Sequence, residues 1–421
     1  MSLLETTGAP APPIPARHGR GLAHAQRIGR LLRMVAGGAG ADPTPNEWRT
    51  LGEALTRGDP DMDRLMDWMA ATGLREGRAL FEKALEHGIE AVPDAPAPLR
   101  DFFETYGRQP EWVDEALLDR GAEACQITGQ VGAWVMRDGA LMGGYQSPDF
   151  NRVLVMTGAL EKGSSKRLAE TSHWWLACTA QGGMGRFGEG FKSTLRVRLI
   201  HAMVRRHVAQ RPDWDLVTDG VPINQLDTAA TQLAFSIVLL QGVRTLGYPL
   251  SGEDGRAVIH LMRYVGWLMG VELALQPRTE GAGMRLLYHT LLSVVAPSDT
   301  SGRTLARALA DEPLSRPYAA LPWLRRRWER EKNLSINLFF IGRAGMDNLG
   351  LPKRYIPWFP LMMMPVNAVR FALGMRSQAA RRRMAAAGRR WQHAHMVSIT
   401  GQAHNPVGGG LDAAHPVAAS A

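Results

Sequence analysis

The stretch at residues 194–209, TLRVRLIHAMVRRHVA, decides how the rest of the chain is read, and Arg198-Leu-Ile-His201-Ala-Met-Val-Arg205 is its centre. Its apolar residues recur at three- and four-residue steps, the period of a helix. At offsets of −3 and +4 from His201, Arg198 and Arg205 fall on the same helical face as the imidazole. Val197, Val204 and Val208 share that face, so it is apolar enough to be buried. Buried guanidinium groups need anions, because unpaired buried charge is costly. Two arrangements meet that need. A haem would offer its iron to the neutral imidazole and its two propionates to the arginines. A core histidine beside arginines paired with ordinary carboxylates would meet it equally well.

The same period continues on both sides. Residues 47–70, 75–87, 111–130, 166–179, 227–246 and 253–273 all repeat apolar positions with helical spacing, and alternating strand patterns are nearly absent. Joints such as Asp59-Pro60 and Tyr248-Pro249 punctuate them. The expected fold is all-α, a single large orthogonal helical bundle over residues 46–400. Residues 1–45 and 401–421, rich in Ala, Pro and Gly, read as a flexible arm and a disordered tail.

A chain of 421 residues can bury a large core, and 45% hydrophobic with 21% charged residues is a globular composition. Two cysteines, Cys125 and Cys178, cannot build a disulfide framework and lack zinc-site spacing, which fits a reducing, cytoplasmic setting. The apolar run at 31–36 is too short for an export signal. The closest candidate for a membrane span, 357–375, holds three prolines and Arg370, so it suits lying on a membrane better than crossing one.

The net charge of +9 is unevenly placed. Residues 321–400 carry 15 Lys+Arg against 3 Asp+Glu, or +12, leaving the remainder near −3. Trp323, Trp328, Trp358, Phe359 and Met362 to Met364 interleave with those cations. That mixture favours an oily partner, an anionic membrane surface or a hydrophobic substrate, over nucleic acid. A merely solvated basic face remains the alternative. The glycines from Gly182 to Gly190 have no preceding strand and no Walker spacing. They read as a flexible connection, with Ser193 or Thr194 capping the helix of His201.

Two further segments can carry chemistry. In Arg167-Leu-Ala-Glu170-Thr171, Arg167 and Thr171 share a helical face and Glu170 reaches the same side at i+3, so these groups could line a cofactor. An exposed salt-bridge face is the structural alternative. In Pro222-Ile-Asn224-Gln-Leu-Asp227, Asn224 suits an N-cap and Asp227 the helix dipole, and Thr231 follows one turn later, facing inward with Phe235. His393 and His395 fall in a basic, frayed-looking region. No His-Glu-x-x-His, paired Glu-x-x-His or Gly-x-Ser-x-Gly is present.

Arg167-Leu-x-Glu-Thr171, Arg198-x-x-His201-x-x-x-Arg205 and Pro222-x-Asn-Gln225-x-Asp227-x-x-x-Thr231, in this order and spacing, resemble one known family. It holds the latex-clearing rubber oxygenases and the membrane-bound oxygenase of mycophenolic acid biosynthesis. Pro110-x-Trp112-Val113-Asp114 and Thr157-Gly158-x-Leu160 extend the similarity, which spans roughly residues 95–300. The resemblance implies a globin-like helical core with one b-type haem. His201 then matches the proximal iron ligand, with Arg198 and Arg205 beside it. Arg167 and Thr171 match distal residues, and Thr231 a further haem-pocket residue. The implied reaction is dioxygen-dependent cleavage of an isoprenoid double bond to two carbonyl products.

The chain departs from rubber-cleaving members in having Glu170 where they carry a lysine. Their distal catalytic glutamate has only loose counterparts in Asp149 and Glu161, and a twin-arginine signal is missing. Polyisoprene itself is therefore the less expected substrate. A buried Glu170 could move a proton or deprotonate an allylic carbon. Two other functions stay open: a haem sensor, carrier or peroxidase-like protein, and a cofactor-free helical protein resting on membranes.

Overall fold

In the computed structural model, which describes residues 13–158, 164–318, 320–353 and 356–400, the regular elements are all helices, and no strand occurs among those residues. The helices that frame the core are Pro60–Thr72 (α1), Glu115–Trp134 (α2), Ser164–Cys178 (α3), Glu189–Ala209 (α4) and Gln225–Leu233 (α5). Gly252–Leu268 (α6), Glu280–Val294 (α7), Pro322–Asn348 (α8), Trp358–Met375 (α9) and Gln378–Thr400 (α10) complete it. Their starts follow local chemistry. Asp59 caps α1 by accepting from the Met62 amide, with Pro60 in the first helical position. Asp114 caps α2 and Asn224 caps α5, the latter accepting from the Asp227 amide.

α2 is the axis of the bundle. α6 packs along one side of it, where a Cβ on Gly121 would lie 2.5 Å from the Ala257 carbonyl oxygen. α10 packs along the other, crossing where Gly388 meets the Gln126 carbonyl and Gly129. One apolar core joins these helices, running through Leu118, Ile127, Leu195, Leu233, Leu261 and Ile336. Gln225–Thr245 is long and apolar enough to cross a membrane, but most of it is buried in this core.

Several boundaries differ from the expected ones. The segment read as one helix at 227–246 is α5, then a π-helical turn at Ala234–Val238, then Leu239–Thr245. A second π turn, Val135–Leu141, extends α2. Asp59 breaks the segment at 47–70 into Pro45–Ala54 and α1. Helix α4 starts at Glu189, so Ser193 and Thr194 do not cap it. They lie inside it, donating to the Gly190 carbonyl.

Residues 13–45 are not a free arm. They include short helices at Leu22–Ile28 and Arg30–Val35, with Ala25 and Ala41 fully buried. Buried Arg17 ties them down by an ion pair to Asp227 at 2.7 Å. The expected tail at 401–421, like Leu160 and Glu161, lies outside the described residues.

Candidate functional site

A cavity of about 1110 Å³ opens among α3, α5, α7, α8 and α10. Pockets for drug-sized ligands span ~300–1,000 Å³, so this one lies at the large end and has room for a large cofactor. Arg167 and Thr171 of α3 line it, as do Asp227 and Thr231 of α5. Thr171 and Thr231 are exposed, though they sit on core helices, because both face this space. Both π turns border the cavity, contributing Arg137 from one and Phe235 from the other. A π turn swells a helix locally, and such turns recur at functional sites. Trp175 stacks on Phe235 at 5.6 Å, and Trp174 meets the same ring edge-on at 5.0 Å, fastening α3 to the second π turn.

Helix α4, which carries His201, packs as a hairpin against α3, whose Arg167 and Thr171 line the cavity. Trp174 Nε1 donates to Thr194 Oγ1 at 3.1 Å, and Cys178 Sγ reaches the Gly190 carbonyl at 3.8 Å. The close approach needs Gly190, because a Cβ there would lie 2.7 Å from the Ala177 carbonyl oxygen. His201 itself is not among the cavity-lining side chains. It lies on a half-buried strip with Val197, Ile200 and Val204. Burial pushes its imidazole pKa down to about 4; Arg205 adds to the shift and Asp59 opposes it. The ring is neutral at pH 7 and has no hydrogen-bond partner among the described residues.

Arg198 and Arg205 are already paired, which corrects their expected role as propionate partners. Arg198, 1% exposed, donates to both Asp59 oxygens at 2.6 and 2.7 Å and to the Leu268 carbonyl, and lies 3.9 Å from the Tyr106 ring centroid. Arg205 donates to Asp63 at 2.6 Å and to the Ile223 carbonyl. The ordinary-carboxylate arrangement holds for both. They bolt α4 to α1 and thereby fix the face that carries His201.

Glu170 is half-buried but does not line the cavity, being turned one residue away from Thr171 on α3. The proton-shuttling role expected of it has no cavity to act in. Asp149 is buried behind the wall against Arg20, its carboxyl pKa raised by burial. His395 is the residue sequence reasoning missed. It lines the cavity from α10, stacked on Trp391 at 4.7 Å. Burial and then Arg316, Arg137 and Lys332 push its pKa down to about 3, so the ring is neutral. The four-residue step from Trp391 was its signal, masked by the surrounding arginines.

Among the described residues no three His, Cys, Asp or Glu side chains gather as a metal site. An iron bound through His201 would therefore have to bring its other ligands with it, as a porphyrin does.

Residues 126–394 match the sequence family described as ER-bound oxygenase mpaB/B′/rubber oxygenase, catalytic domain. The rubber oxygenase of Streptomyces sp. (strain K30) is 26% identical over 194 residues, which are 45% of this chain and 47% of that protein. The chain thus spans about half the length of this curated relative. A solved structure of latex clearing protein LCP in the closed state superposes with a TM-score of 0.60 at 19% identity, over 80% of this chain and 91% of the other. At that identity the likeness speaks for the fold, and it agrees with the all-α architecture. With the matched segment running from α2 into α10 and carrying most of the cavity lining, the chain belongs to the mpaB and rubber oxygenase catalytic-domain family.

Proposed function

We propose that this protein is an oxygenase that holds one b-type haem and uses dioxygen to cleave or oxidise a C=C bond of a hydrophobic, isoprenoid-like substrate. The observation that carries the proposal is one apolar cavity whose polar groups include Arg167, Thr171 and Thr231, two of them on α3, the helix against which α4 with its unpartnered, neutral His201 is packed. A neutral imidazole is the form that ligates iron, so His201 fits the proximal position. When bound, haem would supply an iron able to bind dioxygen. Its carboxylates would need cations other than Arg198 and Arg205. Arg167 lines the cavity with no acidic partner among the described residues.

The chain's own groups have clear tasks in such a reaction. Arg167 keeps its charge at any physiological pH and offers a fork of N–H donors. The Thr171 hydroxyl adds another donor one turn away. Donors held in place before reaction are most effective where negative charge develops on oxygen. Trp175, Phe235, Phe339 and Phe340 supply apolar walls that would hold an alkene and keep water out. The sensor or peroxidase-like alternative drew its support from Glu170 at the distal position, and Glu170 stands outside the cavity wall.

The test is oxygen uptake and carbonyl product formation by haem-supplied protein across a panel of prenylated and terpenoid alkenes. Uptake matched by carbonyl products supports the proposal. No uptake across the panel, or products formed with peroxide but not with dioxygen, contradicts it.

A further inference from the structure

We propose that α9 and the start of α8 form a surface that docks on an anionic lipid bilayer beside the cavity. Helix α9 is amphipathic in the reverse sense to a core helix with a polar outer face. Its inner side is fastened to the domain: Asn367 donates to the Leu246 carbonyl at 2.8 Å, and Phe371 packs on Tyr248 at 5.4 Å. Its outer side carries Leu361, Met362, Val366, Val369 and Leu373, all exposed, with Val369 at 60% and Leu373 at 57%. Their three- and four-residue steps make one continuous apolar stripe. The first turns of α8 add exposed Trp323, Leu324 and Trp328, and the Trp328 ring meets Trp358 at 5.1 Å, so the two patches join.

The charge around this face selects its occupant. Arg370, Arg376, Arg382 and Arg383 are exposed and have no acidic partner among the described residues. Arg381 is different, being buried between Glu123 and Asp254. Apolar side chains with tryptophans, rimmed by unpaired arginines, complement the acyl boundary and headgroups of an anionic membrane. A second copy of the same face would set arginine against arginine. A nucleic acid would leave the apolar stripe uncovered. Leu246, which anchors α9, directly follows cavity-lining Thr245. A bilayer on this face would therefore lie near the cavity rim. The docking stands independently of the haem proposal.

Co-sedimentation of the full chain with vesicles tests this, using phosphatidylcholine alone or phosphatidylcholine mixed with phosphatidylglycerol. The protein should bind the mixed vesicles much more strongly than the neutral ones, and added salt should weaken binding. Arg370→Gln, Arg376→Gln, Arg382→Gln and Arg383→Gln should each weaken it roughly fivefold. Val366→Asp with Val369→Asp, both at exposed positions, should abolish it without changing the circular dichroism spectrum. Absence of vesicle binding, or binding indifferent to both sets of variants, overturns the proposal. So does a dimer that Val369→Asp converts to monomer in a protein that ignores vesicles, which would give the face to a second copy.

Discussion

Replacing Asp59 should destabilise this protein far more than replacing any surface carboxylate, and the structure gives the size of the effect. The side chains of Arg198 and Asp59 are 1% and 8% exposed, and the guanidinium has no second carboxylate within reach. Removing one partner of a buried pair leaves an uncompensated charge, at about 3–5 kcal/mol. Asp59→Asn keeps the shape and the N-cap of α1 while removing the charge, so it isolates the ion pair at about 3 kcal/mol. Asp59→Ala also deletes the cap and should cost ~1 kcal/mol more. The control is Asp67→Ala, because Arg206 and Asp67 are 42% and 68% exposed, and such a pair contributes about 0–1 kcal/mol. Adding Arg198→Met to Asp59→Asn should recover part of the loss, since no buried charge is then unpaired. Urea unfolding followed by circular dichroism, with unchanged slope, measures all four. If Asp59→Asn proves as mild as Asp67→Ala, the brace between α1 and α4 is not what holds the His201 helix.

Other consequences are equally open to measurement. Gly190→Ala forces a Cβ towards the Ala177 carbonyl and should lower stability by about 1–3 kcal/mol, read as a drop in urea midpoint. His395 has a folded pKa of about 3 against an ordinary value of 6.5, so the unfolded chain binds its proton first. Its contribution to stability is complete above pH 6.5 and declines as pH falls towards 3; His395→Gln should flatten that part of the stability–pH curve. Thr171→Val should reduce dioxygen-dependent product formation on the order of 10²-fold while the protein stays folded. Glu170→Gln should leave turnover close to wild type, because that side chain does not reach the cavity.

The helical character of this chain was legible because periodicity is a local property. Residues 194–209 lie within α4, and the joint at Asp59-Pro60 is a real helix start. That Arg167 and Thr171 share a face was legible too, since i and i+4 spacing is arithmetic, and both line the cavity; Thr231, on a different helix, was placed with them only by the family resemblance. What failed depended on distant partners. The anion for Arg198 is Asp59, 139 residues away, and nothing in the spacing around His201 distinguishes that carboxylate from a propionate. The N-terminal segment looked mobile by composition, yet Arg17 finds Asp227 across 210 residues and is buried there. The π turns escaped notice because each is a single widened turn inside a continuous helix, too short to interrupt a periodicity read over a whole segment. His395 was hidden by the arginines that surround it in sequence.

The measurement closest to the centre of this account is the absorption spectrum of wild type and His201→Ala, each produced with haem supplied. A strong Soret band in wild type that is lost or shifted in the variant is the predicted result. An identical band in both would remove His201 as the iron ligand, and a folded but colourless wild type would contradict haem binding altogether.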